Sequence, residues 1–216
     1  MANGKKLRPA KDVVQDRGEG AFWLDHAIVT DGDVAWLKGA RRLTLWNVRL
    51  PDGLLARLPK LWWVDLRGGS CTDLELVRGC AKLRYLQVNQ VRGMSSLSLL
   101  GTFPTLSLLS LYGLPQVSSL PSLAKLAKLR RIELGMMAGL KSLAAALSAP
   151  NLKELFLSKK VIVGSRDVRG ILAHPKLRKF GWSTEDVPVK VFRPVLDAIP
   201  LDEADAMHPE EWFGLD

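Results

Sequence analysis

The sequence predicts an α/β repeat protein, a solenoid with a parallel β-sheet on its concave face and short helices or irregular turns on its convex face. Three observations carry this. An apolar phrase, Leu-x-x-Leu-x-Leu with aliphatic substitutes, returns along most of the chain. Its last position recurs every 21 to 25 residues between Leu45 and Trp182, a period at which each repeat is one small structural unit. Within the phrase the last two apolar positions alternate with polar or aromatic ones, the period-two pattern of a strand.

Taken in order, the phrase reads Ala40-Leu43-Leu45, Leu61-Val64-Leu66, Leu83-Leu86-Val88 and Leu106-Leu109-Leu111. It continues as Leu129-Ile132-Leu134, Leu152-Leu155-Leu157 and Leu177-Phe180-Trp182. One more step of 21 residues back from Leu45 reaches Leu24, so Phe22-Trp23-Leu24 is a first, degenerate strand and the rungs number eight. No such strand is stable alone; each buries its apolar edge against the next rung. The return segments carry their own apolar sets, such as Leu97, Leu99 and Leu100, then Leu120, Leu123 and Leu126, then Leu143, Ala146 and Leu147.

This pattern resembles the leucine-rich-repeat proteins, in particular the short 21–23-residue bacterial type, over residues 21–183. The resemblance implies a right-handed solenoid and a non-catalytic binding role, because the family is defined by architecture and its members take many unrelated partners. The family pattern places an asparagine three residues after the last strand position. Here Val48, Gly69, Val91, Leu114, Met137 and Lys160 stand there, so the turns are expected to be held by packing rather than by an asparagine ladder.

The ends differ from the middle. Residues 1–20 are polar and are expected to be loosely ordered, with no apolar run that could serve as a signal peptide. Residues 184–216 read as a C-terminal cap and acidic tail. Val187, Val189 and Val191 suggest a strand or extended arm, and Val195, Leu196 and Ile199 a short helix ended by Pro200. Net charge is +9, unevenly spread: residues 1–193 hold all 31 basic side chains and 15 acidic ones, and residues 194–216 hold seven acids and no base. Trp212, Phe213 and Leu215 lie among those acids, so the tail is a candidate to dock back onto the basic body. The uncharged run from Gly93 to Ala124 is long enough to cross a membrane, but three prolines interrupt it and its leucines fall on the repeat, so no membrane association is expected.

In a solenoid of this kind the outward residues of the strands tile the concave face. The first outward column includes Arg42, Trp63, Tyr85 and Arg131; the middle one Trp23, Asp65, Gln87, Glu133 and Phe156; the last one Asp25, Trp46, Arg67, Asn89 and Tyr112. Trp, Tyr and Arg are the side chains most enriched at binding hot spots. These fourteen residues are therefore the candidate partner-binding site, for another protein with an acidic or mixed-charge surface. Trp62 and Trp63 are sequence neighbours and cannot face the same way, so one of them is core or lateral.

Catalytic chemistry finds little support. His26, His174 and His208 show no metal-ligand spacing, and no nucleophile motif or phosphate-cradling glycine loop appears. Cys71 and Cys80 are too few for a disulfide framework and are expected to be buried, reduced thiols. No enzyme activity, cofactor or metal site is expected. The expected role is a cytoplasmic bacterial interaction module, such as an immunity protein or regulatory adaptor. An effector acting on a host or rival protein is an alternative. Nucleic-acid binding through the basic solenoid surface is another, ranked lower because Asp25, Asp65, Glu133 and Glu154 on the concave map would repel phosphate.

Overall fold

In the computed structural model, which describes residues 6–183, 185 and 187–215, the eight expected rungs are all present. Their strands are β3 (Ala21–Asp25), β5 (Arg42–Trp46), β6 (Trp63–Arg67), β7 (Tyr85–Asn89), β8 (Leu108–Tyr112), β9 (Arg131–Gly135), β10 (Glu154–Ser158) and β11 (Lys179–Ser183). They form one parallel ladder in which Trp23, Thr44, Asp65, Gln87, Ser110, Glu133, Phe156 and Gly181 lie in a single row. That register follows from burial: a slip of one residue would turn every inward leucine toward solvent. Leu43, Val64, Leu86, Leu109, Ile132 and Leu155 are essentially inaccessible, and so are the leading leucines Leu83, Leu106, Leu129 and Leu152. Each such side chain contributes about 1.5–3 kcal/mol as an upper bound.

Convex returns are short 3-10 turns, at Leu55–Arg57, Glu75–Val77, Ser98–Thr102 and Ala146–Ser148. The last full return instead forms helix α3 (Ser165–Ala173), following α1 (Ala10–Val13) and α2 (Val34–Leu37). The uncharged run is solenoid interior: Met94, Leu97, Leu100, Phe103, Leu114, Val117 and Leu123 are all buried. Among the described residues no helix is long and apolar enough to cross a membrane.

The turn that ends each of the first seven rung strands is held by more than packing. His26, Asn47, Gly68, Gln90, Gly113, Met136 and Lys159 stand two residues after the last inward strand position and all have positive φ. Their amides donate to the next rung, for example Asn47 N to Arg67 O at 2.7 Å, Gln90 N to Tyr112 O at 2.8 Å and Gly113 N to Gly135 O at 2.9 Å. A main-chain ladder thus does the work of the missing asparagine side chains, while Val91, Leu114 and Met137 pack beneath it. Left-handed backbone is easiest for glycine, and two of these seven positions are glycine.

Both ends of the sheet depart from expectation. Within the N-terminal segment, Met1–Lys5 lie outside the described residues, but residues 8–16 are organised rather than loose. Strand β1 (Arg8–Pro9) pairs with β4 (Ala27–Ile28), Ala10 is buried, and β2 (Gln15–Asp16) closes the first edge antiparallel to β3. At the other end Val189 and Val191 do not form a strand. They belong to helix α4 (Val189–Asp197), where they are exposed while Phe192, Val195 and Leu196, spaced three and four apart, pack inward. Alternating valines fit a helix equally well when only every third or fourth position is buried. Ile199 is buried beyond the helix end. The chain then adds β12 (Asp202–Glu203) as a short parallel strand beside β11, shielding that edge.

Candidate functional site

The three outward columns meet on the concave face as the repeat requires, yet much of that face is covered by the chain's own C-terminus. After β12 the main chain crosses the sheet back toward the early rungs. Arg131, 1% exposed, marks the crossing: its Nη2 donates to Asp205 O at 2.5 Å, its Nε donates to Glu133 at 2.8 Å, and Nη1 donates to Glu154. Helix α5 (Pro209–Phe213) then settles on Trp63, Tyr85 and Leu108, with Trp212, Phe213 and Leu215 packed against them. The Phe213 ring lies 5.1 Å from Trp62, 5.8 Å from Trp63 and 6.3 Å from Tyr85. Proline at the first helical position and Gly214 in the left-handed region after the last turn give this five-residue helix both of its ends.

As free contact surface, then, four of the expected residues need correcting. Trp63, Asp65, Tyr85 and Arg131 are buried. The physical reason is that the tail supplies apolar rings and main-chain acceptors that the strands would otherwise offer to a partner. Gln87 accepts the Tyr85 hydroxyl beneath the same cover, and Glu133 is engaged by Arg131. Asn89, Tyr112 and Phe156 remain half-buried. Of the neighbouring tryptophans, Trp62 is the lateral one, standing edge-on to Trp63 with centroids 5.8 Å apart.

Burial and charge under the tail shift several groups. Asp65 is pushed above the ordinary aspartate range by burial, with Glu210 adding to the effect, despite the hydrogen bond and charge of Arg67. Its Oδ2 accepts Arg67 Nε at 2.9 Å, and its buried Oδ1 has no hydrogen-bond partner among the described residues. Tyr85 is raised well above its usual value by burial and by Asp65 and Glu133. Cys80 is buried, which pushes its thiol up to about 11; Cys71 is only half-buried rather than buried, yet desolvation still raises it, so both are thiols at neutral pH. Among the described residues no group of three His, Cys, Asp or Glu side chains is placed to hold a metal ion.

The first rungs stay open. Trp46, 43% exposed, leans on Trp23 with centroids 6.2 Å apart. The Trp23 ring also receives the guanidinium of Arg17 at 4.8 Å and of Arg67 at 5.3 Å. Beside them is a cleft of about 220 Å³ whose walls include Arg42, Trp63, Asp65, His208 and Glu210. Asp25 holds His26 Nδ1 at 2.5 Å on the same rim. Sequence reasoning missed Arg17, His208 and Glu210. Arg17 is brought in by the β2–β3 pairing, for which no periodic signal exists; Glu210 arrives on the tail, whose Trp-Phe-x-Leu cluster among acids was the available clue.

Fold and site together define a solenoid of parallel-strand repeats whose concave sheet is covered in its middle by its own C-terminal segment and open at its first rungs. No family model matches the chain, and no curated protein matches it in sequence. Among solved structures it is similar to internalin C2 of Listeria monocytogenes, with 17% identity, 74% of this chain and 80% of that chain covered, and a TM-score of 0.45. It is also similar to an internalin InlF of the same organism, with 18% identity, coverage of 86% and 73%, and a TM-score of 0.34.

Proposed function

We propose that this chain is a non-catalytic protein-binding module that takes its partner on the open first rungs of the concave sheet. The observation that carries this reading is Trp46, 43% exposed on a strand paired on both sides and tilted against Trp23. Indole surface of that size gains most from a partner when its neighbours are already ordered. Arg17 and Arg67 over Trp23, with Arg42 nearby, favour an acidic or mixed-charge partner, and Asp25 with Glu210 supplies the opposite sign at the rim. An immunity protein and a regulatory adaptor of a bacterial cytoplasm are the two roles that fit; they differ in what the partner is, not in how this face would hold it.

The test is quantitative binding of a captured partner by the parent chain and by Trp23→Ala/Trp46→Ala. Loss of two anchor rings should weaken binding by about 30-fold or more, the scale of an interface hot spot. Unchanged affinity in the double variant would place the contact elsewhere and overturn the assignment. A photo-crosslinking residue at Thr44, in the same row, should trap the partner, whereas one at Lys190 on α4 should not.

A further inference from the structure

A second surface lies on the flank beside the concave face and meets its tail where Phe213 packs on Trp62 and Arg84. Each Leu-x-x-Leu phrase places two side chains on the flank where the chain leads into a strand: the residue before the first leucine and the residue after it. The first of these columns contains Lys60, Lys82, Lys128 and Lys176, with Gly39, Thr105 and Asn151 at the other rungs. The second contains Arg41, Arg84, Arg130, Lys153 and Arg178, with Trp62 and Ser107 between. Nine of these fourteen positions are basic and none is acidic.

Main-chain bonds hold the second column in line: Arg84 N to Trp62 O at 2.7 Å, Ser107 N to Arg84 O at 2.8 Å, Lys153 N to Arg130 O at 2.7 Å and Arg178 N to Lys153 O at 2.9 Å. At the sheet spacing of about 4.8 Å per rung the stripe is roughly 29 Å long from Arg41 to Arg178. All nine cations are exposed except the half-buried Arg130. None forms an ion pair among the described residues; Lys82, Arg130 and Arg178 reach main-chain carbonyls instead, at Pro59, Ala127 and Leu177. The loops that leave the strands are different in kind, mixing Asp52, Asp73 and Glu75 with Arg49, Arg78 and Arg92. Between the two basic columns runs an open groove of about 890 Å³, floored in part by the Trp62 ring, over which Arg84 lies at 5.0 Å.

From this flank we propose that the protein binds single-stranded nucleic acid along the basic groove, with phosphates on the two cationic columns and a base stacked on Trp62. A stripe two side chains wide, unbroken by acid, matches one phosphate backbone. The half-buried Trp62 ring, which lines the groove, is the aromatic on which a base would stack. A protein partner fits less well, because interface cores are depleted of charge and the two columns hold nine cations against one large apolar side chain, Trp62. The acids that count against phosphate on the concave face, Asp65, Glu133 and Glu154, do not lie in these columns.

The experiment is fluorescence anisotropy of the full chain with a fluorescein-labelled 20-nucleotide oligothymidylate, titrated from 50 to 300 mM NaCl. Three proteins are compared: the parent, Lys82→Glu/Lys128→Glu/Lys153→Glu on the flank, and Lys160→Glu/Arg166→Glu/Lys190→Glu, which changes net charge equally on other exposed sites. The flank triple should bind at least tenfold more weakly and lose about 2 from the log–log salt slope, at roughly 0.7 per phosphate. The control triple should stay within threefold of the parent. Equal loss in both triples would show attraction by net charge alone and overturn the groove. So would an absence of binding by the parent at 50 mM salt, or a duplex of the same length bound as tightly as the single strand. Vesicles containing phosphatidylserine that bind more tightly than the oligonucleotide, through the same three lysines, would assign the flank to a membrane surface instead.

Discussion

Replacing Phe213 with alanine should release the C-terminal segment from the concave face while leaving the solenoid folded. A fully buried phenylalanine loses about 3–5 kcal/mol on truncation. Phe213 is half-buried, with three aromatic neighbours at centroid distances of 5.1 to 6.3 Å, so about 2 kcal/mol is expected. That is a roughly 30-fold rise in the population of the undocked segment, since each 1.4 kcal/mol is a factor of ten. The readout is native-state hydrogen exchange. The amides of Gly214 and Leu215, which donate to Glu211 O and Glu210 O, should exchange about 30-fold faster. The Leu86 and Val88 amides, in the middle of the sheet, should not change, because local and global opening are separate events. A less than threefold change at Gly214 and Leu215 would show that the ring does not hold the segment. Equal acceleration at Leu86 would show that the segment is part of the cooperative fold.

Three further outcomes follow from the same contacts. Asp65 has a folded pKa raised above the ordinary 3.8 by burial and by Glu210. Its contribution to stability is therefore full below 3.8 and lost as pH rises through the folded value; Asp65→Asn should raise the neutral-pH Tm and flatten that part of the curve, and an unchanged pH profile would contradict the assignment. Asp33 is shifted the other way: burial opposes its charge, but hydrogen bonds from Trp36 Nε1 and from the Thr30 amide and hydroxyl outweigh it and hold the pKa below 3.8. Asp33→Ala should lose about 1–2 kcal/mol in urea unfolding at pH 7, with the difference from the parent shrinking as pH falls through the lowered pKa; a constant difference would rule out the carboxylate as its source. At Gly181 an added Cβ would lie 1.8 Å from Ala204 O and 3.1 Å from Phe156 Cδ2. Gly181→Ala should thus part β12 from β11, destabilise by about 1–3 kcal/mol and open the 202–208 stretch to protease; parent-like resistance would show that the edge can accommodate the methyl.

What the sequence determined by itself is the ladder. Leu45, Leu66, Val88, Leu111, Leu134, Leu157 and Trp182 recur at a near-constant spacing, and one buried face per strand leaves a single register, so strand positions and outward columns could be read before any coordinates. Resemblance to leucine-rich repeats was legible for the same reason. The left-handed residue after each of the first seven rung strands was not, because His26, Asn47, Gln90, Met136 and Lys159 share a backbone angle and no side-chain chemistry. Val189 and Val191 misled because alternation is shared by a strand and by a short helix with one face buried.

Only the tertiary structure decided which outward residues remain free. Trp46 and Tyr85 both stand at outward positions of their strands, yet one is 43% exposed and the other 1%. The difference is made by Phe213, which packs on Tyr85 from 128 positions further along the chain. A periodic pattern encodes contacts between neighbouring rungs, since each rung recurs at the same spacing. A single apolar segment returning across the sheet has no period, and its place is set by the shape and charge of the surface that the rungs build.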